Sequence, residues 1–333
     1  MERALSVLGL FSMIGIAWLL SNNRRSIRWW PVIVGTALQI VFALVILRTT
    51  PGRLAFDAAG AAITRFLDFT DAGANFVFGD RFKEFYFAFK VLPTIIFFSS
   101  FIAVLYYLGI LQRVVGLFAR IMVKTMGTSG AESLSASANI FVGQTEAPML
   151  IRPFVPTMTR SELMAVMTGG FATIAGGVMA AYVGMGVPAN HLLAASVMSA
   201  PAALVMAKLM FPETEHSKTS GKVEIEVARP WVNVIDAAAS GAGDGLTLAL
   251  NVGAMLIAFV ALIAMLDWPL HALGRLTGFP ELSIKWILGG LGRPLAWLMG
   301  VSWSESSTKR PPTQVTFTGW TFLFSAQRTR SIA

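Results

Sequence analysis

The chain is a succession of long apolar runs joined by short polar ones, and the runs have the length a bilayer demands. They fall at about 4–20, 30–47, 86–108, 162–183, 191–211 and 246–267. Each is near the roughly 17–25 residues that cross about 30 Å of hydrocarbon as a helix. Other segments place apolar residues at helical spacing with charge on the opposite side, the pattern of a helix lying at the membrane interface. In 51–85 the stretch LAFDAAGAAITRFLDF sets Arg53, Asp57, Arg65 and Asp68 against an apolar face. In 110–125, Arg113, Arg120 and Lys124 alternate with Val, Leu, Phe and Ile. A third such helix is predicted at 230–244, after a polar loop at 212–229 that reads as solvated. The pattern predicts an all-α integral membrane protein with several spans and interfacial helices. The first run resembles a signal-peptide core, but Ser21-Asn22-Asn23 is a poor cleavage site and a second span follows at once, so it reads as an uncleaved first helix.

Basic residues orient these runs. Arg24, Arg25 and Arg28 sit in the first loop without an acid, 109–126 is again purely basic, and 184–190 carries no charge. The positive-inside rule then puts the first loop and 109–126 in the cytoplasm and the N-terminus outside. Arg120 and Lys124 precede the stretch SASANIFVGQTEAP (135–148), and Arg152 and Arg160 follow it. With both flanks on one side, the stretch enters the membrane and leaves on the same face, a re-entrant helical hairpin whose broken tip runs from Gly143 to Pro148.

That stretch gathers Asn139, Gln144, Thr145 and Glu146 within eight residues. A carboxylate at mid-bilayer costs about 3 kcal/mol on insertion scales and marks a functional site by default. Broken backbone at that depth survives only when buried in protein or lining a cavity, and discontinuous helices are how secondary transporters present dipole ends to ligands. The next span, GGFATIAGGVMAAYVGMG (169–186), is rich in Gly and Ala, which permits close helix approach. Asn139, the carbonyl of Val142, Thr173 and the carbonyl of Ile174 would supply oxygens to a Na+ ion if that span is locally unwound. The competing readings are plainer: Glu146 paired with Arg152 or Arg160, Asn139 as glue between helices, and Thr173 bonded back to its own helix. Gly169, Gly170, Gly176 and Gly177 read as packing residues, Asp236 and Asp244 as interface or capping residues, and Phe97, Phe98 and Phe101 as lipid-facing or core bulk.

Composition narrows the class. Of 333 residues 55% are hydrophobic and 13% charged, against roughly 25% charged in a soluble domain. The net charge of +8 is spread over short loops, which the positive-inside rule explains without nucleic acid. There is no cysteine, and His191, His216 and His271 are far apart. No metal cluster or nucleophile–base pair stands out, so an enzyme is not expected. In a channel, the alternative class, rings of ligands would repeat around a pore, whereas these polar residues cluster on one side of one protomer.

The string SANIFVGQTEAPMLIRPFVPTMTRSELMAVMTGGFATIAGGVMAAYV resembles the hairpin-and-span core of the concentrative nucleoside transporters, the NupC-type cation–nucleoside symporters. VIDAAASGAGDGLTLALNVGAMLIAFVALI (234–263) and ILGGLGRPLAWLMGVSW (287–303) agree. The resemblance implies an inverted-repeat transporter, trimeric in the inner (plasma) membrane, that takes up nucleosides with Na+ or H+ by an elevator-like movement. It implies that Gln144, Thr145 and Glu146 bind nucleobase and ribose, that Val178 contacts the base, and that Asn139, Val142, Thr173 and Ile174 form the Na+ site. No further cofactor is implied.

On this reading the chain divides into N-terminal spans and an interfacial segment (1–85), a third span with its amphipathic helix (86–126), and the hairpin core (127–211). The polar loop, sixth span and start of the second repeat (212–303) follow, then a tail (304–333). The family continues after LAWLMGVSW with a second hairpin bearing an asparagine–glutamate–phenylalanine string, whereas here the sequence from about Thr308 reads like translation in a shifted frame. The second repeat is therefore expected to be incomplete, and the chain to fold poorly alone and transport little.

Overall fold

Apart from a break inside 162–183, the apolar runs close their backbone hydrogen bonds within themselves, as hydrocarbon requires. The result, in a computed structural model describing residues 2–80, 87–144, 147–221, 231–279 and 281–298, is helical. In chain order the helices are α1 (Glu2–Leu19), α2 (Trp29–Arg48), α3 (Thr50–Asp68), α4 (Thr70–Phe78), α5 (Leu92–Tyr107), α6 (Ile110–Met126) and α7 (Gly130–Ala138). They continue with α8 (Ala147–Ile151), α9 (Arg160–Ala172), α10 (Gly176–Gly184), α11 (Ala189–Met210), α12 (Val234–Thr277) and α13 (Ile284–Leu298). Among the described residues, Trp29–Ile46, Phe87–Tyr107, Arg160–Gly184, Ala189–Met210 and Val234–Thr277 are long and apolar enough to cross a membrane. The apolar stretch of α1, Leu8–Leu19, is shorter. The tail 304–333 and the expected gap in the second repeat lie outside the described residues.

The described residues form two compact units, one within 20–253 and one made of 2–19 with 254–298. In the second, α1 packs on α13, and Asp267 Oδ1 accepts the Ile284 amide at 2.7 Å, anchoring the first turn of α13. The first unit holds the hairpin. Its α6 is amphipathic as expected, with Leu111, Val115, Ala119, Met122 and Met126 buried and Arg113, Arg120 and Lys124 exposed. The apolar face is covered by protein: α7 and α8 lay Leu134, Ala138, Leu150 and Ile151 against Leu111, Val115 and Ala119. In a membrane such contacts are held by dispersion and close fit, since lipid is as apolar as leucine.

The expected separate helix at 230–244 is not separate. It is the first part of α12, 44 residues long, about 66 Å at 1.5 Å per residue. Its glycines do not break it, because they seat it. A Cβ at Gly241 would lie 2.5 Å from Ala103 Cβ and one at Gly245 2.8 Å from Ile96 Cα, so α12 touches the backbone of α5. Asp236 caps the start, accepting the Val232 amide at 3.0 Å while its own amide donates to Asn233 Oδ1 at 2.8 Å. The loop at 212–229 also departs from a solvated run where it is described. Ser217 and Thr219 reach inward and donate to Glu162 Oε1 at 2.5 and 3.2 Å.

The phenylalanines of α5 are half-buried, and Phe97 and Phe101 meet Phe66 of α3 at tilted angles, with ring centroids 4.8 and 4.3 Å apart.

Candidate functional site

The hairpin descends through α7, turns, and returns through α8. Asn139 caps the end of α7 with φ −60° and ψ −16°, its amide still bonded to the Ser135 carbonyl. The following turn is held by Phe141 and Val142 amides on the Ala138 carbonyl, both at 2.9 Å, and by Ala147 N on the Gly143 carbonyl at 2.9 Å. Asn139 is 1% exposed, and its Oδ1 has no hydrogen-bond partner among the described residues. A buried amide oxygen left unpaired costs on the order of 1–3 kcal/mol, so this atom is where a ligand would be stabilised. Ser135 Oγ, one turn earlier and fully buried, is likewise without a partner among the described residues. Sequence reading did not single it out, because a serine in a Ser/Ala-rich helix carries no signal of its own.

The span expected at 162–183 is broken where unwinding would be needed. Helix α9 ends at Ala172, and α10 begins at Gly176. Between them Thr173 is extended at φ −114°, ψ 154° and Ala175 at φ −57°, ψ 139°. The hydroxyl of Thr173 donates to the Gly169 carbonyl at 2.7 Å, which is the back-bonded arrangement. A hydroxyl that gives its proton backward keeps its lone pairs, so the same oxygen can still face a cation. Among the described residues the Ile174 carbonyl accepts no backbone hydrogen bond.

Glycines bring the turn and the break together. A Cβ at Gly169 would lie 3.1 Å from Asn139 Nδ2, one at Gly170 3.1 Å from Gln144 Cβ, and one at Gly176 2.4 Å from the Phe141 carbonyl oxygen. The packing role expected of these residues is thus specific, since Asn139 and Gln144 rest on two successive glycines of α9. Val142 and Ile174 are buried at 3% and 8%, Val178 is half-buried in the first turn of α10, and Gln144 is exposed. Thr145 and Glu146 lie outside the described residues. The structure therefore brings together the turn bearing Asn139, Val142 and Gln144 and the break bearing Thr173 and Ile174.

A cavity of about 290 Å³ lies elsewhere, where α3, α4 and α5 meet the far end of α10. Lys90 lines it and pairs with Asp71, with Asp68 at 3.7 Å. It contains none of the candidate site residues. Its ammonium is already matched to carboxylates, and none of its lining residues reaches the helix break.

Three family profiles match the chain in succession: Na+ dependent nucleoside transporter N-terminus over residues 8–81, Nucleoside recognition over 88–189, and Na+ dependent nucleoside transporter C-terminus over 191–309. Human Solute carrier family 28 member 3 is 45% identical over 306 residues, which is 92% of this chain and 44% of the human protein. The chain thus spans less than half the length of that relative. A Haemophilus influenzae protein described as an uncharacterized transporter is 49% identical over 302 residues, 89% of this chain and 72% of its own. Among solved structures, CNTnw in an inward-facing substrate-bound state matches with a TM-score of 0.85 at 44% identity, covering 92% of this chain and 74% of that one. A CNTnw variant in an outward-facing state matches at 0.87, covering 92% and 75%. With this identity along most of its length and the same helical path, the chain belongs to the concentrative nucleoside transporter family.

Proposed function

We propose that this protein is a symporter that carries a nucleoside together with a cation, Na+ or H+, across the inner (plasma) membrane. The observation that carries the reading is the buried Oδ1 of Asn139, without a partner among the described residues and set beside the break between α9 and α10. Two helix C-termini meet there, those of α7 and α9. Each carries the equivalent of roughly half a negative charge, the device by which transporter half-helices hold coupling cations. In this reading Asn139, the Val142 carbonyl, Thr173 and the Ile174 carbonyl hold the cation. Gln144, Thr145 and Glu146 hold nucleobase and ribose, with Val178 against the base.

Coupling follows from adjacency. Gln144 is two residues beyond Val142 on the same turn and rests on the glycine next to the one beneath Asn139. A cation that draws Asn139, Val142 and Thr173 together stills the turn that presents Gln144. The nucleoside must then favour the cation by the same factor. Transport by an elevator-like movement of the hairpin core, within a homotrimer, completes the proposal; CNTnw having been captured in both inward- and outward-facing states supports the movement.

The test is radiolabelled uridine uptake by cells expressing the full chain, with Na+ and proton gradients imposed or collapsed, beside a Glu146→Gln variant. Weak uptake that needs a gradient and disappears in the variant is the expected result. Uptake that persists with both gradients collapsed would make the protein a passive pore. Absence of both uptake and cation-dependent thermal stabilisation of the purified chain would refute the site assignment.

A further inference from the structure

Two capping motifs stand thirty residues apart, Ser129 to Glu132 and Thr159 to Glu162, and the structure closes both. Ser129 N donates to Glu132 Oε1 at 2.7 Å, and Glu132 N donates to Ser129 Oγ at 3.4 Å. Thr159 N donates to Glu162 Oε2 at 2.8 Å, and Glu162 N donates to Thr159 Oγ1 at 3.1 Å. From each cap the same count of residues leads to the candidate site, 129 to 139 on α7 and 159 to 169 on α9. The two helices start level and arrive level, about 15 Å further on, where Asn139 lies on Gly169.

A third helix ties the two starts together. Lys208, in the last turn of α11, lies with Nζ 2.7 Å from Glu132 Oε2 and donates to Ser161 Oγ at 3.0 Å. Ser161 Oγ donates to the Phe211 carbonyl at 2.7 Å. The chain after α11 closes over the cluster: Thr159 Oγ1 donates to Glu213 Oε2 at 2.8 Å, and the Gly130 amide donates to the Thr219 carbonyl at 2.8 Å. Glu132 and Glu162 are each 1% exposed and Lys208 is 7% exposed.

A capping box works at an exposed helix start, so nothing about capping requires this burial or the lysine. Buried ion pairs are poor sources of stability and are best attested as devices for register. Faces of small residues, such as those of α7 and α9, tolerate sliding along the helix axis; an ion pair at 2.7 Å joined to a hydrogen bond from the same ammonium at 3.0 Å does not. We propose that Glu132, Ser161 and Lys208 form a positioning cluster that sets the axial register of α7 against α9 and so holds Asn139 and Gln144 over Gly169 and Gly170. Its consequence for transport rests on the reading of Asn139 as a cation ligand.

The chain has no cysteine, so introduced pairs report register directly. A Cβ at Gly170 lies 3.1 Å from Gln144 Cβ, near the about 3.5–4.5 Å of disulfides; Gln144→Cys with Gly170→Cys is the reporter. The control is Gly60→Cys with Asn190→Cys, which joins α3 to the start of α11, with Cβ positions 2.9 Å apart. Oxidation of the full-length protein is followed by loss of maleimide labelling. Lys208→Met is expected to slow the 144–170 crosslink by about tenfold, or about 1.4 kcal/mol, and to leave the 60–190 crosslink unchanged. Lys208→Arg restores the rate. Glu132→Gln, which keeps the cap, also slows the reporter and carries the test if Lys208→Met fails to fold. Equal reporter rates in parent and variants, equal slowing of both pairs, or failure of the reporter to form in the parent would each overturn the proposal. Crosslinking needs neither Na+ nor nucleoside, so failure of the transport reading appears separately, as a chain that crosslinks as expected and shows no cation-dependent stabilisation.

Discussion

Gly176 and Gly177 are chemically identical neighbours at the start of α10, and the structure predicts opposite outcomes when each becomes alanine. At Gly177 the added methyl would meet Ile95 Cγ2 at 3.5 Å and Leu248 Cδ2 at 3.6 Å, ordinary contact distances. At Gly176 it would lie 2.4 Å from the Phe141 carbonyl oxygen and 2.5 Å from the Phe98 ring. The turn must therefore retreat by about 0.6 Å to reach even the lower limit of real contacts, and such overpacking costs about 1–3 kcal/mol. Both substitutions gain up to about 1 kcal/mol of helix propensity, so the difference between them isolates the steric term. Gly176→Ala is expected to lose about 1–2 kcal/mol of stability and about tenfold in apparent Na+ affinity, because Val142 follows the displaced carbonyl. Gly177→Ala is expected to match or slightly exceed the parent in both. The assay is thermal unfolding of the purified full chain with Na+ titrated against choline. If the two variants unfold alike and respond alike to Na+, the turn does not dock on the break as described.

Other perturbations test neighbouring links. Asn139→Ala removes the buried side-chain amide at the turn together with an oxygen that has no partner among the described residues. It is expected to weaken Na+ stabilisation by about tenfold with no loss of unfolding midpoint in choline, as read in the same titration. Gly169→Ala pushes on the Asn139 amide end from 3.1 Å, and a few-fold loss of Na+ affinity with intact nucleoside binding at saturating Na+ is expected in equilibrium binding. Lys208→Met leaves Glu132 buried and unpaired, a loss of about 3–5 kcal/mol, and Glu132→Gln added to it should recover part of that. A double-mutant cycle in thermal unfolding checks this, and strictly additive losses would contradict it.

Much of this architecture was legible in the chain because its signals are local. An uncharged run such as 30–47 has only one way to satisfy its backbone in hydrocarbon. Bases on both flanks of 135–148 imply a segment that returns to the side it entered, and polar groups packed around Gly143 and Pro148 mark a site before any fold is known. What the tertiary structure alone decided are pairings between residues far apart in sequence. Nothing in the periodicity of α12 announces that glycines at 241 and 245 seat it against α5 rather than end a helix. Nothing near Lys208, a single base at the end of an apolar span, points to Glu132. The serine and threonine capping motifs thirty residues apart were the available sign, and they state where two helices begin, not that they begin side by side. Local chemistry sets which segments are helices and which residues are too polar to be idle. Only three-dimensional packing, in which a missing Cβ admits the carbonyl or amide of a distant segment, decides which of those residues meet.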